Sequence, residues 1–289
     1  MENLHIITVA TESKFYFPYL IESCKRNGKE LKVLGMGKKW EGYNMRYNLM
    51  IDYLNTLQKY DIVCIIDGYD VLCTRDLNEL IPKFKEIQNR TKCKIIVGDD
   101  SFGYFFLFSP LFFGKCKNES INAGTYIGYV KDILEIIQNI YELNPKNDSD
   151  DQLLMTNYCQ QNPTVFYIDK DSELFLKLGY GLQELDQYVE IKNNVLTYNN
   201  IQPFFIHAAG NGYLDNIIKK LGYEYKDNIK EQIAISSYDK IMYHLTNFMK
   251  MYILYFIIFL ILLVIIYYRS IILYYLSKTV KRKYPYKIE

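Results

Sequence analysis

Short apolar runs alternate with amphipathic stretches over the first hundred residues. The runs at 4–10, 31–34, 62–66 and 94–97 have the length of buried strands, and the stretches at 16–27, 46–58 and 76–88 predict helices between them. Strands that alternate with helices indicate an α/β fold with a mostly parallel sheet, in which ligands bind beyond the carboxyl ends of the strands. The aromatic, non-periodic segment 102–117 predicts a long loop over that edge.

A second kind of pattern follows near the end of the chain. Residues 251–268 are uncharged and mostly apolar, and Lys250 and Arg269 bound them. At 1.5 Å per residue the run covers about 27 Å, close to the thickness of a bilayer core. It predicts one transmembrane helix, which could extend to 276; a buried core helix is the alternative. The predicted organisation is a folded domain at 1–235, a linker at 236–250, a span at 251–268 and a basic tail at 277–289.

Two signals conflict over the orientation of that span. The first residues lack the basic and apolar regions of a signal peptide, which predicts that the main domain stays on the side where it is made. Basic residues, however, are more numerous after the span than before it, which predicts a cytosolic tail and a main domain on the opposite side. A single-pass protein with a C-terminal membrane anchor is expected, with the orientation left open.

Composition and charge exclude several classes of protein. Lys and Arg number 34 against 33 Asp and Glu, and this net charge of +1 gives no reason to expect a nucleic-acid partner. The 49% hydrophobic content excludes a disordered chain. The six cysteines form no C-x-x-C pair, which excludes a zinc knuckle or a thioredoxin motif. Cys64 and Cys93 lie in strand-like runs and are predicted to be buried free thiols.

The most informative motif is Asp67-Gly68-Tyr69-Asp70, directly after the predicted strand at 62–66. Two carboxylates at a strand end repel each other and favour a cation between them. Oxygen ligands suit Mg²⁺ or Mn²⁺, either of which could bridge the protein to a diphosphate. The alternative is a capped turn without a ligand.

Two further groups carry candidate chemistry. Asp150, Asp151 and Gln152 belong to an acidic run just before a predicted helix at 153–159, where one or two Asp residues could serve only as caps. His207 ends an apolar strand and enters a loop that contains Gly210 and Gly212. A strand-end histidine is often structural, but with these glycines it could complete a metal and phosphate site.

Six blocks, in order, resemble the glycosyltransferase domain of procollagen lysyl hydroxylases and related collagen glycosyltransferases, including those of giant viruses. They lie at 8–11, 34–40, 67–72, 122–129, 148–153 and 206–212, and the likeness extends over about 4–222. It implies a GT-A type, Rossmann-like fold that binds UDP-glucose or UDP-galactose through Mn²⁺, with Mg²⁺ as a possible substitute.

The resemblance also implies residue roles. By position, Asp67, Asp70 and His207 resemble the metal ligands. Tyr69 resembles the residue that stacks on uracil, Thr11 one that holds the nucleotide, and Arg46 a lysine near the diphosphate. Asn122-Ala123-Gly124 resembles a turn under the sugar, and Gly210 and Gly212 resemble phosphate-binding glycines. Asp150, Asp151 and Gln152 match an acidic site around the donor sugar and the acceptor.

The sequence departs from the family pattern after His207. The loop to Gly212 is longer than the family's H-G-N-G, and Tyr213-Leu214-Asp215 stands where the family has P-T-K, which removes a basic contact. No iron and 2-oxoglutarate hydroxylase domain is found, so hydroxylation is not expected. The expected function is transfer of glucose or galactose from a UDP-sugar to a protein acceptor, at hydroxylysine or galactosylhydroxylysine in collagen-like repeats. The alternatives are a non-catalytic membrane binding module of this fold and a GT-A enzyme for glycan or lipid acceptors.

Overall fold

The computed structural model of the protein describes residues 2–101, 113–144, 146–147, 149–179, 181–225 and 229–283. In the last helix the description omits the side chains at 240–241, 243–244, 246–252, 254, 270, 272 and 275–283. Most of the predicted loop at 102–117 therefore falls outside the described part of the chain, as does Asp148 of the acidic run.

Eleven strands occur in the described residues. They are β1 (Leu4–Val9), β2 (Leu31–Leu34), β3 (Ile62–Ile66), β4 (Val71–Cys73), β5 (Ile95–Asp99), β6 (Ile121–Tyr129), β7 (Phe166–Asp169), β8 (Phe175–Lys177), β9 (Glu190–Lys192), β10 (Val195–Thr197) and β11 (Phe205–His207). Six of them form the central sheet in the order β2-β1-β3-β6-β5-β7. Only β6 of this sheet runs antiparallel to its neighbours. The prediction of a mixed, mostly parallel sheet is confirmed, and this architecture fits a GT-A type fold.

Helices cover both faces of the central sheet. They are α1 (Phe17–Arg26), α2 (Tyr43–Leu54), α3 (Leu80–Thr91), α4 (Val130–Glu142) and α5 (Asp151–Gln161). Two further helices, α6 (Asp215–Lys220) and α7 (Ile229–Lys283), follow later in the chain. Side chains alternate along a strand, so Val63 and Ile65 of β3 pack in the core cluster of α2, α4 and α5. Cys64 and Ile66 pack in the cluster of α1 and α3. Burial on both faces explains why β3 is wholly apolar.

Predicted and observed helix ends differ by a few residues. The helix predicted at 46–58 extends from Tyr43 to Leu54. Gly42 precedes it with a φ of 97°, which is not a helical conformation, so the helix begins after this residue. The helix predicted at 76–88 begins as a short 3₁₀ turn at Leu77–Glu79, where the Asp76 side chain accepts from the Asn78 N–H at 3.0 Å.

A second, smaller sheet brings two chain segments together. Its order is β4-β11-β8, with β11 antiparallel to β4 and parallel to β8. The Asp67–Asp70 turn joins β3 of the central sheet to β4 of the small sheet, so it lies where the two sheets meet. The strands β9 and β10 pair as an antiparallel hairpin, which lies between β8 and β11 in the sequence.

The cysteines fall into two groups. Cys64 and Cys93 are buried free thiols, as predicted, and Cys24 and Cys73 are too. Cys116 and Cys159 form a disulfide, for which no sequence motif gave a signal.

The chain forms two compact units, Met1–Ala234 and Ile235–Glu289. Among the residues described, no helix has the combined length and apolarity that a membrane crossing requires. The span at 251–268 includes positions whose side chains are not described, and it stays a prediction.

Candidate functional site

Three potential metal ligands converge where the two sheets meet. Asp67 follows β3, Asp70 precedes β4, and His207 ends β11, which pairs with β4 so that His207 lies opposite Val71. One ligand atom from each of Asp67, Asp70 and His207 lies within 4.8 Å of the others. The His207 Nε2 atom is 3.7 Å from Asp67 Oδ2 and 3.3 Å from Asp70 Oδ2. Strand pairing therefore assembles a set of ligands from positions 140 residues apart in the chain.

The second nitrogen of His207 orients its ring. His207 is only 3% exposed, and its Nδ1 lies 2.9 Å from the Asn122 Oδ1 atom, which can only accept. An Nδ1–H bond to this oxygen leaves the Nε2 lone pair facing the two carboxylates, as a metal ligand requires. Burial lowers the pKa of His207, but the neighbouring Asp70 and Asp67 carboxylates outweigh it and raise the pKa overall. A cation at this point would replace the proton that these carboxylates attract.

Gly124 allows this close approach. Its carbonyl accepts the Asp67 N–H at 2.8 Å. A Cβ atom on Gly124 would lie 2.5 Å from Asp67 Oδ2, and it would also overlap the His207 ring. The predicted turn under the sugar, Asn122-Ala123-Gly124, lies inside β6, at a register shift opposite Val97 and Gly98. The segment is an irregular part of a strand rather than a separate turn, and its predicted place under the sugar stays a prediction.

Arg46 links the two acidic groups of the site. It projects from α2, is 11% exposed, and contacts Asp67 Oδ1 at 3.0 Å and Asp151 Oδ2 at 2.7 Å. Burial lowers the pKa of Arg46, but the two carboxylates raise it further, so the guanidinium remains charged. Arg46 is thus at the site, where it binds carboxylates.

Asp150 and Asp151 have different surroundings. Asp150 is the N-cap of α5: its Oδ1 accepts from the Gln152 N–H at 2.9 Å and from the Leu153 N–H at 3.4 Å. Asp151 instead faces Arg46. Burial is the largest of the influences that raise the pKa of Asp151 to about 7; Arg46 opposes it, and Asp67 adds to it. The capping interpretation therefore applies to Asp150, while Asp151 presents a carboxyl group that titrates near neutrality.

These groups surround a cavity of about 240 Å³. Its lining residues are Tyr43, Arg46, Asp67, Asp70, Phe113, Asn122, Ala123, Gly124, Asp151, Gln152, His207, Ala209 and Gly210. Larger cavities of about 530, 670 and 910 Å³ lie elsewhere on the described surface, and none is lined by the three metal-ligand candidates. The 240 Å³ cavity is the candidate site because the three potential metal ligands line it, not because of its volume.

Thr11 and Tyr69 lie together beside this cavity. The Tyr69 hydroxyl accepts the Thr11 N–H at 3.0 Å. Phe15 and Phe17 contact the Tyr69 ring edge-on and at a tilt, and the Lys14 ammonium lies 4.8 Å from the ring centre. A base stacked on Tyr69 would have to use the opposite face of the ring or displace Lys14.

The two predicted phosphate-binding glycines have separate roles. Gly210 lines the cavity and adopts a φ of 74°, followed by Asn211 at 71°. Gly212 instead packs against Leu185, because a Cβ on Gly212 would lie 2.6 Å from a Leu185 methyl carbon. Gly212 is not among the residues that line the cavity, and its role in binding phosphate stays a prediction.

The departure after Gly212 has a structural explanation. Asp215 is 4% exposed, and its carboxylate accepts from the hydroxyls of Tyr16 and Tyr225. Asp215, which stands where the family has a basic residue, therefore belongs to the core around α6.

Sequence reasoning missed two charged residues that are connected to the cavity through Gln152. Asp100 follows β5, Lys177 ends β8, and their side chains form a fully buried ion pair at 3.3 Å. The Gln152 Nε2 atom donates to Asp100 Oδ2 at 3.2 Å. Asp100 gave the same signal as Asp67, an acidic residue directly after an apolar strand, but Lys177 gave none.

The relatives of this chain are longer proteins, and the match covers only part of each of them. A procollagen-lysine,2-oxoglutarate 5-dioxygenase of Drosophila melanogaster is 24% identical over 235 residues, which are 74% of this chain and 31% of that protein. The human multifunctional procollagen lysine hydroxylase and glycosyltransferase LH3 is 27% identical over 234 residues, 72% of this chain and 30% of LH3. The chain thus spans about a third of the length of these relatives.

A viral protein and a solved structure are also similar. The uncharacterized protein R699 of Acanthamoeba polyphaga mimivirus is 24% identical over 199 residues, 65% of this chain and 41% of R699. The crystal structure of a glycosyltransferase involved in the glycosylation of the major capsid of PBCV-1 aligns with 72% of this chain and 95% of its own, at 11% identity and a TM-score of 0.43.

The family model described as the PLOD GT domain matches residues 1–234, which is most of the chain and ends where the first compact unit ends. The chain belongs to the PLOD glycosyltransferase-domain family.

Proposed function

We propose that this chain is a metal-dependent glycosyltransferase that moves glucose or galactose from a UDP-sugar to a protein acceptor. The observation that carries the proposal is the cluster of Asp67, Asp70 and His207, next to the Arg46–Asp151 ion pair. It lies at the strand-end edge where α/β sheets bind ligands, in a member of a glycosyltransferase-domain family.

The ligand set fits a divalent cation, Mn²⁺ or Mg²⁺, because two carboxylates and an oriented imidazole face one point. When bound, the cation supplies neutralisation of the charge that develops on the UDP leaving group. Arg46 holds Asp67 by its Oδ1, which leaves Oδ2 directed toward His207. Thr11 and Tyr69 would bind the nucleoside, and Gly210 would let a phosphate approach the backbone.

Asp151 and Gln152 would act on the sugar and the acceptor. In the transfer, the bond from the anomeric carbon to UDP breaks and a bond to the acceptor oxygen forms. Asp151 would orient or deprotonate the acceptor hydroxyl, or stabilise an oxocarbenium-like sugar. Asp150 contributes by capping α5, which fixes Asp151 and Gln152 in its first turn. Retention of anomeric configuration would fit glucosyl transfer, and inversion would fit galactosyl transfer.

Hydroxylysine or galactosylhydroxylysine in collagen-like repeats is the acceptor that we favour. Its support is that relatives which match this domain are procollagen lysine hydroxylases and glycosyltransferases by name. A screen of collagen-like peptides that contain hydroxylysine, against free glycans and lipid acceptors, tests this choice. Transfer only to a glycan or a lipid would replace the collagen proposal and leave the enzyme proposal intact.

The enzyme proposal is tested by UDP release from UDP-glucose and UDP-galactose by the full chain in detergent micelles with Mn²⁺. We expect hydrolysis that chelation abolishes and that falls at least a hundredfold in Asp67→Asn and Asp70→Asn. Asp52→Asn is the matched control, because Asp52 is exposed on α2 and distant in sequence from both strand ends. Absence of UDP release from every UDP-sugar, or full activity in the Asp67 and Asp70 variants, would contradict the proposal.

A non-catalytic binding module is the second candidate. The observation that favours it is the altered segment after His207, where Gly212 packs against Leu185 and Asp215 belongs to the core. This candidate predicts that UDP with Mn²⁺ binds and that no donor is turned over. Calorimetric binding together with the hydrolysis assay separates the two.

We also propose that residues 251–268 anchor the protein in a membrane as a single span. The support is the sequence pattern alone, an uninterrupted apolar run between Lys250 and Arg269.

A further inference from the structure

A buried pair of opposite charges contacts Gln152, which lines the cavity, and has no role in the chemistry described above. Lys177 ends β8 and Asp100 follows β5, and the side chains of both are 0% exposed. The Lys177 Nζ atom is 3.3 Å from Asp100 Oδ1. Burial lowers the pKa of Lys177 to about 8, and Asp100 opposes that change, so the ammonium is the main form at neutral pH.

Stability does not explain this pair. Removing two charges from water costs several kcal/mol for each ion, and apolar residues of similar volume are often as stable or more so. The strands on either side are apolar, with Leu174, Phe175 and Leu176 before Lys177, so a nonpolar pair would fit the surroundings. What the ion pair adds is a carboxylate whose Oδ1 atom is held by an ammonium in a fixed place.

The other oxygen of that carboxylate binds Gln152. Asp100 Oδ2 accepts from Gln152 Nε2 at 3.2 Å. Because an ionised carboxylate can only accept, the amino end of the Gln152 amide must face Asp100, and the amide oxygen must face away from it. The backbone of Gln152 is also held, since its N–H donates to Asp150 Oδ1 at 2.9 Å. Gln152 lines the cavity with Asp151 and Arg46, so one polar side chain of the cavity wall has a defined orientation.

The pair is also built into the strand that orders the metal ligands. Lys177 of β8 and His207 of β11 are register partners in the small sheet. The same strand pairing thus fixes the distance between the metal cluster and the Asp100–Gln152 contact.

We propose that Lys177 and Asp100 are positioning residues that orient the Gln152 amide, so that its oxygen accepts a hydrogen bond from one hydroxyl of the donor sugar and selects between hexose epimers. This inference rests on the proposed transfer function. Glucose and galactose differ in the direction of a single hydroxyl. A hydrogen-bond acceptor that is held in one orientation can therefore accept from that hydroxyl in one epimer and not in the other. Sites built to hydrogen-bond a substrate group reject analogues that cannot make the bond far better than apolar pockets do.

Loss of Lys177 should therefore act through Asp100. Without the ammonium, Asp100 loses the ion pair at its Oδ1 atom. A carboxylate that is held less firmly would orient the Gln152 amide less strictly, because that amide donates to Asp100 Oδ2. We expect Lys177→Met to change the preference between the two donors.

The decisive variant removes both charges at once. In the Lys177→Met and Asp100→Leu double variant neither charge of the pair is left without the other, and Gln152 loses its acceptor at Asp100. We expect the ratio of kcat/KM for UDP-glucose and UDP-galactose to move at least tenfold toward one, with the Kd for UDP and Mn²⁺ within twofold of the wild type. Gln152→Leu should give the same loss of discrimination, and adding it to the double variant should give no further loss.

The matched control removes an ion pair outside the cavity. Lys220 contacts Asp186 at 2.6 Å in the same compact unit, and the Lys220→Met and Asp186→Leu variant should keep the wild-type ratio. A folded Lys177 and Asp100 double variant with wild-type discrimination would overturn the proposal. If that variant does not fold, full discrimination in Gln152→Leu would overturn it instead.

Failure of the proposed function would look different. If the wild-type chain turns over neither donor, the preference is read from the Kd values of UDP-glucose and UDP-galactose measured by calorimetry. Equal wild-type affinities would then count against the positioning role. Unequal affinities that become equal in the double variant would support it without turnover.

Discussion

At the scale of single residues, Gly124 controls how close the metal ligands can come. A Cβ at this position would lie 2.5 Å from Asp67 Oδ2 and would overlap the His207 ring, and both side chains would have to move. We therefore expect Gly124→Ala to weaken Mn²⁺ binding in the presence of UDP at least tenfold, about 1.4 kcal/mol. Titration calorimetry measures the change.

Gly128 provides the control within the same strand, β6. A Cβ there would lie 2.5 Å from Ile95 Cδ1 and 3.0 Å from the Lys94 carbonyl oxygen, away from the metal ligands. Gly128→Ala should lower the melting temperature and leave Mn²⁺ affinity unchanged. Equal Mn²⁺ affinity in wild type and Gly124→Ala would show that the cation binds elsewhere.

Asp151 gives the site a pH dependence. Its pKa is raised to about 7, chiefly by burial, so the carboxylate form accumulates only above that pH. If the carboxylate is the active form, kcat/KM should rise about tenfold per pH unit below 7 and level off above it. Because Arg46 lowers this pKa, Arg46→Gln should shift the rising limb to higher pH. A profile that is flat from pH 5 to 8 would exclude Asp151 from this role.

Residue types and their positions in the chain indicated part of the site. Asp67 and His207 could be identified because each follows or ends an apolar strand, and strand ends gather at one edge of a sheet. The orientation of Gly212 could not, because it depends on Leu185, 27 residues earlier in the chain. Lys177 was hidden for the same reason, since a lysine in an apolar run is explained only by its distant partner Asp100.

At the scale of elements, the disulfide between Cys116 and Cys159 fixes α5 to the segment before β6. The first turn of this helix carries Asp151 and Gln152. Closing a loop of 43 residues stabilises the folded chain by about 4 kcal/mol in the chain-entropy treatment. We expect the Cys116→Ser and Cys159→Ser double variant to lose that much free energy of unfolding, as measured by urea denaturation.

Reduction supplies an internal control for the disulfide prediction. Dithiothreitol should lower the stability of the wild type toward that of the double variant, and it should leave the double variant unchanged. Equal stabilities of wild type and double variant without reductant would show that the bond is absent in solution.

Hydrophobic periodicity predicts most of the strands and helices in their order, but it does not predict all of them. The runs at 62–66 and 94–97 are predicted to be strands, which β3 and β5 confirm. The strand β6 was missed, because its segment Asn122-Ala123-Gly124-Thr125 contains small and polar residues that serve the site. The short strands β4 and β8 depend on pairing with β11 and have three residues each, too few for a period.

At the scale of the whole molecule, the net charge of +1 averages unlike parts. The unit Met1–Ala234 contains the acidic cavity, whose carboxylates favour a cation. The sequence after it contains the uncharged run at 251–268 and then a basic tail that includes Lys281, Arg282 and Lys283. A basic segment next to an apolar run suits an anionic membrane surface.

The proposed anchor predicts a specific pattern of membrane association. The full chain should float with phospholipid vesicles and stay bound in 1 M NaCl, because burial of an apolar helix is not screened by salt. Leu260→Arg together with Leu263→Arg should release it, since each arginine near the centre of a span costs roughly 2.5–3.5 kcal/mol on insertion scales.

The tail provides the matched control for that experiment. Lys281→Gln, Arg282→Gln and Lys283→Gln remove charges without changing the apolar run, so this variant should still float in 1 M NaCl and lose only its preference for anionic vesicles. If salt alone releases the wild-type chain, the association is electrostatic and the tail, not residues 251–268, holds the protein at the surface. If the double arginine variant floats as the wild type does, the run does not cross the bilayer.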